Sequence, residues 1–332
     1  MAGPPNVFVD NPFILALLVS GIIAAVLMLA LWLGLERALA RRLVLAAIIP
    51  AVAVAVPAAI GLPDTARGGV GAALLMLVLG GVCGAILDFA RLSERVCLIV
   101  SGVLLLLGGW LVLAAPVNGL SYHPGGIKFL AWLAFLVIGG CFLWVTRPDF
   151  TEDDAPDGKA AKGKKTKIAK TRSSKSTATE SGGDVANAAK PGPVAVLMTL
   201  ALGQGIIAHQ FALDQHVVFQ AALWIALMVA LVSEKAAPQY RAAVWLGVVG
   251  ALMASAAVMM IAIPASAVSF AVLLLVVSSG RGAAKLGALV PEANPAQAVV
   301  IGSVIRFGVL ALPLIMAALV AYVGAQMAGT VS

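Results

Sequence analysis

Arg306 has the clearest chemical implication of any side chain in this sequence, because it interrupts a long apolar segment. In AQAVVIGSVIRFGVLALPLIMAALVAYVG it follows Ala298 by about eight residues, or about 12 Å along a helix. A charge at that depth costs about 2.5–3.5 kcal/mol on insertion scales, so it should face protein or water. The sequence predicts either a buried counter-charge or, if the span begins later, an arginine that reaches back to the membrane interface.

A second group of polar residues lies in the segment PVAVLMTLALGQGIIAHQFALDQHVVFQ, residues 193–220. Gln204 stands between Gly203 and Gly205, where a break in the helix could create a polar binding site. The chain is expected to turn between His209 and His216, which disfavours a metal site. The polar residues fit either a water-exposed hairpin or a cluster that binds a proton or a substrate: His209, Gln210, Asp214, Gln215, His216 and Gln220.

Two further pairs of charged residues fall at the ends of apolar segments. Asp88 and Arg91 are three residues apart and can form an ion pair that acts as a gate. Asp88 is also the carboxylate closest to the hydrocarbon that could neutralise a buried Arg306, so we predict that these two side chains approach each other. Arg281 and Lys285 are four residues apart and could jointly bind a phosphate or a lipid headgroup, or could simply mark a cytoplasmic loop.

The stretch GAILDFARLSERVCL, residues 84–98, resembles the cytoplasmic motif of the polyprenyl-phosphate sugar-1-phosphate transferases. The matching residues are Asp88, Leu92, Ser93, Arg95 and Leu98. The resemblance implies coupling of a nucleotide sugar to a lipid phosphate with magnesium, in a ten-span protein. In that family two adjacent aspartates end the third span, whereas Leu87 stands in the first position here. No Asn-x-x-Asp-Gly-x-Asp-Gly motif follows the fifth span, so a true relative would be a degenerate, non-catalytic one.

The composition of the whole chain indicates a membrane protein. Hydrophobic residues make up 61% of the 332 and charged residues 11%, against about 25% charged residues in a soluble domain. Crossing the bilayer takes roughly 20 mostly apolar residues. That rule predicts an all-α, polytopic membrane protein with about ten spans, near 13–35, 43–62, 70–88, 96–115, 127–146, 193–212, 217–233, 241–262, 264–280 and 297–325.

The distribution of lysine and arginine predicts the orientation. With the N-terminus outside, the predicted inside loops carry nineteen of these residues and the outside loops carry only Arg67 and Lys128. This bias favours a bacterial-type inner-membrane protein with both termini outside and residues 147–192 in the cytoplasm. Because the positive charge lies mainly in loops, it does not indicate a nucleic-acid partner.

Residues 147–192 divide the predicted spans into two groups of five. This stretch contains eight basic residues between Lys159 and Lys175 and little apolar material, which is typical of a disordered linker. Its basic run could attract anionic lipids. The predicted organisation is a membrane half at 1–146, a cytoplasmic linker at 147–192 and a second membrane half at 193–332. The two halves could be a parallel duplication, with spans one to four matching spans seven to ten.

These features favour a protein that transports or flips a small or lipidic substrate between its two halves. The alternatives are a lipid-linked sugar-phosphate transferase and a scaffold for a cell-envelope complex. Enzymatic activity stays open, although no complete catalytic motif is present. Cys83, Cys97 and Cys141 form no CxxC pair, and we expect neither a metal site nor a cofactor. The bilayer is the one partner that the composition implies, and the oligomeric state is left open.

Overall fold

The computed structural model describes residues 11–63, 69–90, 93–113, 125–148, 191–232, 240–290 and 295–329, and all regular structure in these ranges is helical. The first half of the chain forms α1 (Pro12–Gly34), α2 (Arg37–Leu43), a 3₁₀ turn (Val44–Ala47), α3 (Ile48–Ile60), α4 (Val70–Ala90), α5 (Glu94–Leu113) and α6 (Gly125–Val145). The second half forms α7 (Pro193–Gln210), α8 (Asp214–Val232), α9 (Ala242–Val244), a π turn (Trp245–Val249), α10 (Gly250–Ala262), α11 (Ser266–Leu273), α12 (Leu275–Ala288) and α13 (Pro295–Met327).

Eight helices in the described ranges are long and apolar enough to cross a membrane. The chain is therefore a multi-pass α-helical membrane protein, as its composition predicts. Two of the ten predicted spans correspond to shorter apolar helices, Trp132–Val145 within α6 and Ser266–Gly280. The second of these is divided at Leu274, between α11 and α12, so the number ten stays a prediction.

The chain divides into two compact units. The larger unit comprises Met1–Pro148, Gly192–Ser278 and Leu310–Ser332, and the smaller comprises Asp149–Pro191 and Ser279–Val309. The described part of the smaller unit is mainly the end of α12 and the beginning of α13, with Ala283 and Ala298 buried. The predicted linker, including its basic run, lies almost wholly outside the described residues.

The core of the larger unit is built by helices from both predicted halves. Helix α8 packs against α1, α3 and α7, and the Ala242–Ala262 segment packs against α4. In that segment 72% of the residues in the apolar window are buried, against 22% for α1. A helix that is buried on all sides, like the Ala242–Ala262 segment, needs small or apolar residues on every face. Helix α1 instead presents most of its apolar surface outward, as contact with lipid requires. The proposed duplication of the two halves stays a prediction.

Glycines allow α4 to approach the Ala242–Ala262 segment at backbone distance. A Cβ on Gly80 would overlap the carbonyl of Leu246, and one on Gly84 would overlap the carbonyl of Ala242. From the opposite helix, a Cβ on Gly247 would lie 3.0 Å from the Gly81 backbone. Spacing of small residues by four places them on one helix face, which is how membrane helices pack closely. This contact fixes the position of α9 and of the π turn beside it.

Helix α1 is fixed at its beginning and near its middle by hydrogen bonds. The side-chain oxygen of Asn11 accepts from the amide of Phe13 at 3.0 Å, and Pro12 occupies the first helical position, so the sequence forms a good N-terminal cap. Further along, Ser20 Oγ donates to the carbonyl of Ala222 on α8 at 2.8 Å. These contacts hold α1 against α8, which positions one wall of the site described below.

Candidate functional site

Four buried polar side chains on three helices form a connected cluster in the larger unit. Gln204 comes from α7, His216 and Gln220 come from α8, and Ser255 comes from α10. Each has no more than 6% of its surface exposed. Buried polar groups in a membrane interior are costly unless they bond to one another, so such clusters mark functional sites more often than random positions do. We refer to these four residues as the polar cluster.

The hydrogen bonds of the polar cluster form a chain. Gln204 Nε2 donates to the carbonyl of Leu252 at 3.1 Å, and Gln220 Nε2 donates to Gln204 Oε1 at 2.8 Å. Gln220 Nε2 also lies 3.0 Å from Ser255 Oγ, which in turn lies 3.1 Å from His216 Nδ1. The two glutamines therefore connect α7, α8 and α10 deep in the helical bundle.

A groove of about 660 Å³ opens beside the polar cluster, between α1, α7 and α8. This volume is in the usual range for small-molecule sites. Its walls are mainly apolar and include Phe13, Leu17, Leu202, Ile206, Val217 and Val218. Its exposed rim carries Asn11, His209 and Asp214. Gln220 and Trp224 line it farther along α8. We refer to this feature as the α1–α7–α8 groove.

The turn between α7 and α8 brings His209 and Asp214 to the rim. Helix α7 ends at Gln210, Ala212 adopts a positive φ of 55°, and α8 begins at Asp214. The predicted turn between His209 and His216 is therefore confirmed. His216 is buried in the polar cluster, whereas His209 is exposed at the rim. The interpretation of this whole region as a water-exposed hairpin is thus wrong for His216 and Gln220.

Within the described ranges no group of three or more His, Cys, Asp or Glu residues is placed to hold a metal ion.

The expected break in the helix at Gln204 is absent, since α7 runs continuously from Pro193 to Gln210. The glycines on either side of Gln204 serve packing instead. A Cβ on Gly203 would overlap the side chain of Leu273, and one on Gly205 would lie 3.3 Å from Cβ of Gln220. Gly205 therefore lets α8 bring Gln220 close to Gln204. The glycines create the polar site by close approach of two helices rather than by unwinding one.

Asp88 lies near the end of α4 with 8% of its surface exposed, and both of its oxygens bind backbone. Oδ1 accepts from the amide of Ala242 at 3.1 Å and Oδ2 from that of Ala243 at 2.9 Å. These amides begin α9, whose own N-cap residue, Arg241, makes no side-chain capping bond. Asp88 thus supplies a cap from a neighbouring helix, at the helix end that favours negative charge.

Replacing Asp88 by alanine should therefore destabilise the protein by about 2–4 kcal/mol, because two buried amide donors lose a charged acceptor. Asp88→Asn should lose less, since one acceptor oxygen remains. Glu94 offers a matched control, because its carboxylate is 44% exposed and binds Arg147 Nη1 at 2.5 Å. Glu94→Ala should change stability by no more than about 1 kcal/mol. Thermal unfolding in detergent measures both, and equal losses would contradict the capping role.

The remaining predicted site residues are only partly defined. Arg91 lies outside the described residues, so the gate pair with Asp88 stays a prediction. Arg281 belongs to α12, as does Lys285, whose side chain is exposed. Arg306 is partly buried in α13, whose apolar segment of 31 residues is about 46 Å long and exceeds the roughly 30 Å of hydrocarbon. That length allows Arg306 to lie at the interface, and its pairing with Asp88 stays a prediction.

Two residues of the site were not singled out from the sequence. Ser255 stands among small apolar residues in the span MASAAV, where nothing distinguishes it from a packing serine. Trp224 could only be recognised as an aromatic residue in a span, although its indole nitrogen is buried without a hydrogen-bond partner among the described residues. The one available signal was the spacing of Gln220 and Trp224, which places them on the same helix face.

Comparison with known proteins identifies no relative of this chain: no protein-family model, characterised protein or solved structure matches it significantly.

Proposed function

We propose that this protein transports or flips a lipidic substrate, and that the substrate binds in the α1–α7–α8 groove. The observation that supports this proposal is the combination of apolar walls with a polar rim and a deeper polar end. An apolar chain fits the walls, and a polar head fits the rim or the deeper position. One wall comes from the first predicted half of the chain and two come from the second, as expected of a site between the halves.

The spacing of polar residues along α8 supports movement of a head group rather than simple storage. Asp214 is exposed at the rim, whereas Gln220 has 1% of its surface exposed. Their separation of six residues corresponds to about 9 Å along the helix. A head group that moves from Asp214 to Gln220 therefore leaves the interface and enters the membrane interior while it keeps a polar partner. A lipid transporter must lower the free energy of transferring a polar head group into the membrane interior.

The orientation of the protein is part of the proposal. The positive-inside bias favours an orientation in which the turn between α7 and α8, and therefore the rim of the groove, faces the outer side of the inner membrane. In a variant without native cysteines, a cysteine placed at position 123 should react with an impermeant maleimide in intact cells. One placed at position 165 should react only after lysis. The reverse pattern would contradict this orientation.

Lipid flipping can be measured on the purified protein in proteoliposomes. The probes are lipids with a fluorescent acyl chain and with zwitterionic, anionic or uncharged polyol heads. Dithionite destroys only the fluorophores in the outer leaflet, so protein that flips a probe should raise the fraction destroyed above that in protein-free vesicles. If the protein increases the flipping of none of these probes, the proposed function is wrong.

A further inference from the structure

The amide of Gln220 has an oxygen that no described residue satisfies. Gln220 has 1% of its surface exposed, its Oε1 is buried without a hydrogen-bond partner among the described residues, and it lines the α1–α7–α8 groove. Leaving a buried acceptor unpaired is unfavourable, because the atom loses its bond to water and gains none in return. A ligand with a donor would remove that cost on binding. The inference drawn from this residue rests on the proposed binding of a substrate in the groove.

The hydrogen-bond chain fixes which end of the Gln220 amide is free. The carbonyl of Leu252 can only accept, so the atom of Gln204 that lies 3.1 Å from it must be Nε2. Gln204 Oε1 then faces Gln220 and needs a donor, which makes the atom 2.8 Å away Gln220 Nε2. Reversing either amide would set two acceptors or two donors against each other. Oε1 is therefore the atom of Gln220 that takes no part in these hydrogen bonds.

Trp224 supplies the complementary group one helical turn away. Its indole N–H is buried without a partner among the described residues, and its side chain also lines the groove. Residues four apart on a helix lie on the same face. Both Gln220 Oε1 and Trp224 Nε1 are covered by neighbouring groups, so a ligand reaches them only by moving side chains at this end of the groove. A hydroxyl group that enters there can satisfy both, because it donates one hydrogen bond and accepts others.

The charged groups of the groove disfavour an anionic head. No lysine or arginine is among the described residues that line it, and His209, the one basic residue among them, lies at the rim together with the carboxylate of Asp214. A phosphate or carboxylate head would pass this carboxylate and then lose its hydration without a cation to replace it, which is costly in a low-dielectric site. An uncharged hydroxyl group loses much less hydration on entering this site, and hydrogen bonds there can replace what it loses.

We infer that the α1–α7–α8 groove binds an uncharged amphiphile whose head carries a hydroxyl group, which donates to Gln220 Oε1 and accepts from the indole N–H of Trp224. The apolar chain lies against the walls formed by Leu17, Leu202 and Ile206. The substrate class of the proposed transporter is therefore hydroxyl-bearing, uncharged lipids rather than phospholipids or fatty acids.

A competition assay with the full-length protein in nanodiscs tests this substrate class. The labelled probe is a tritiated monoacylglycerol, and the competitors share its acyl chain but carry a different head. Unlabelled monoacylglycerol should displace the probe. The fatty-acid methyl ester, which has acceptors but no donor, should be about tenfold weaker. The free fatty acid and the alkyl phosphate should be weaker still.

Single-residue variants test the two contacts. Gln220→Met removes the acceptor and Trp224→Phe removes the donor, and each should weaken probe binding about three- to tenfold. Gln210→Met and Trp110→Phe are matched controls, since neither residue lines the groove, and both should bind as the unmodified protein does. If Gln220→Met fails to fold, Trp224→Phe and the competitor series still decide the question.

The outcomes separate this inference from the function that it rests on. Equal displacement by all chain-matched competitors, or preference for the anionic ones, would overturn the inference while leaving a lipid-binding groove. Absence of saturable binding of the tritiated monoacylglycerol, with saturable binding of a tritiated fatty acid or phospholipid, would also overturn the inference alone. Absence of saturable binding of all three labelled lipids would overturn the groove as a binding site and the proposed function with it.

Discussion

Replacing Gly84 by leucine should cost the protein at least about 3 kcal/mol of stability, one of the two largest effects that we expect. A Cβ at Gly84 overlaps the carbonyl of Ala242, which is backbone and cannot turn aside. The two helices would have to separate, and separation would also pull the carboxylate of Asp88 away from the amides of Ala242 and Ala243. Overpacking alone costs about 1–3 kcal/mol, and the lost capping bonds add to that.

Gly102 provides the matched control for this prediction. It lies in the middle of α5, and a Cβ added there meets nothing within 4 Å. Gly102→Leu should therefore leave the melting temperature in detergent unchanged or raise it slightly, because leucine favours a helix more than glycine does. If Gly84→Leu and Gly102→Leu unfold at the same temperature, the close contact between α4 and the Ala242–Ala262 segment does not stabilise the fold.

The helical fold could be predicted from the sequence because its signal is local. A run of about 20 apolar residues predicts a span whatever the helix packs against. For this reason the predicted bounds of α1, α4 and α7 lie close to the observed ones. The division at Leu274 has no comparable signal. Neither has the π turn at Trp245–Val249, which depends on how the Ala242–Ala262 segment packs against α4.

The candidate site was predictable only as a set of polar residues. The sequence indicates that Gln204, His209, His216 and Gln220 are unusual in a membrane segment, but it does not indicate which of them meet. Their separation into a buried cluster and an exposed rim depends on the close approach of α7 and α8 at Gly205. The partners Leu252 and Ser255 come from α10, distant in the chain. Contacts of this kind have no local sequence signature.

Asp88 shows how one residue fits several patterns before the structure is known. Its spacing from Arg91 suggested an ion pair, and its surroundings resemble the motif of a transferase family. The observed partners are the amides that begin α9, an arrangement that spacing along the sequence could not have revealed. A carboxylate that holds two backbone donors has a structural role, whatever other contacts it makes.

Filling the α1–α7–α8 groove should abolish lipid flipping, which is the other large effect that we expect. Ile206 lines the groove and is only partly buried. A tryptophan there would project into the space that the acyl chain needs without displacing the core. Ile315 on α13 offers the same substitution on a surface that is 56% exposed and does not line the groove. Both variants should fold, since neither residue is fully buried.

The most direct test of the proposed function is the rate at which proteoliposomes containing each protein flip a chain-labelled lipid with an uncharged polyol head. We expect the unmodified protein and Ile315→Trp to flip this probe at the same rate, well above protein-free vesicles. Ile206→Trp should fall to the protein-free rate while keeping the melting temperature of the unmodified protein. Flipping by Ile206→Trp at the unmodified rate would contradict passage of the substrate through the groove, and no flipping by the unmodified protein would contradict the function itself.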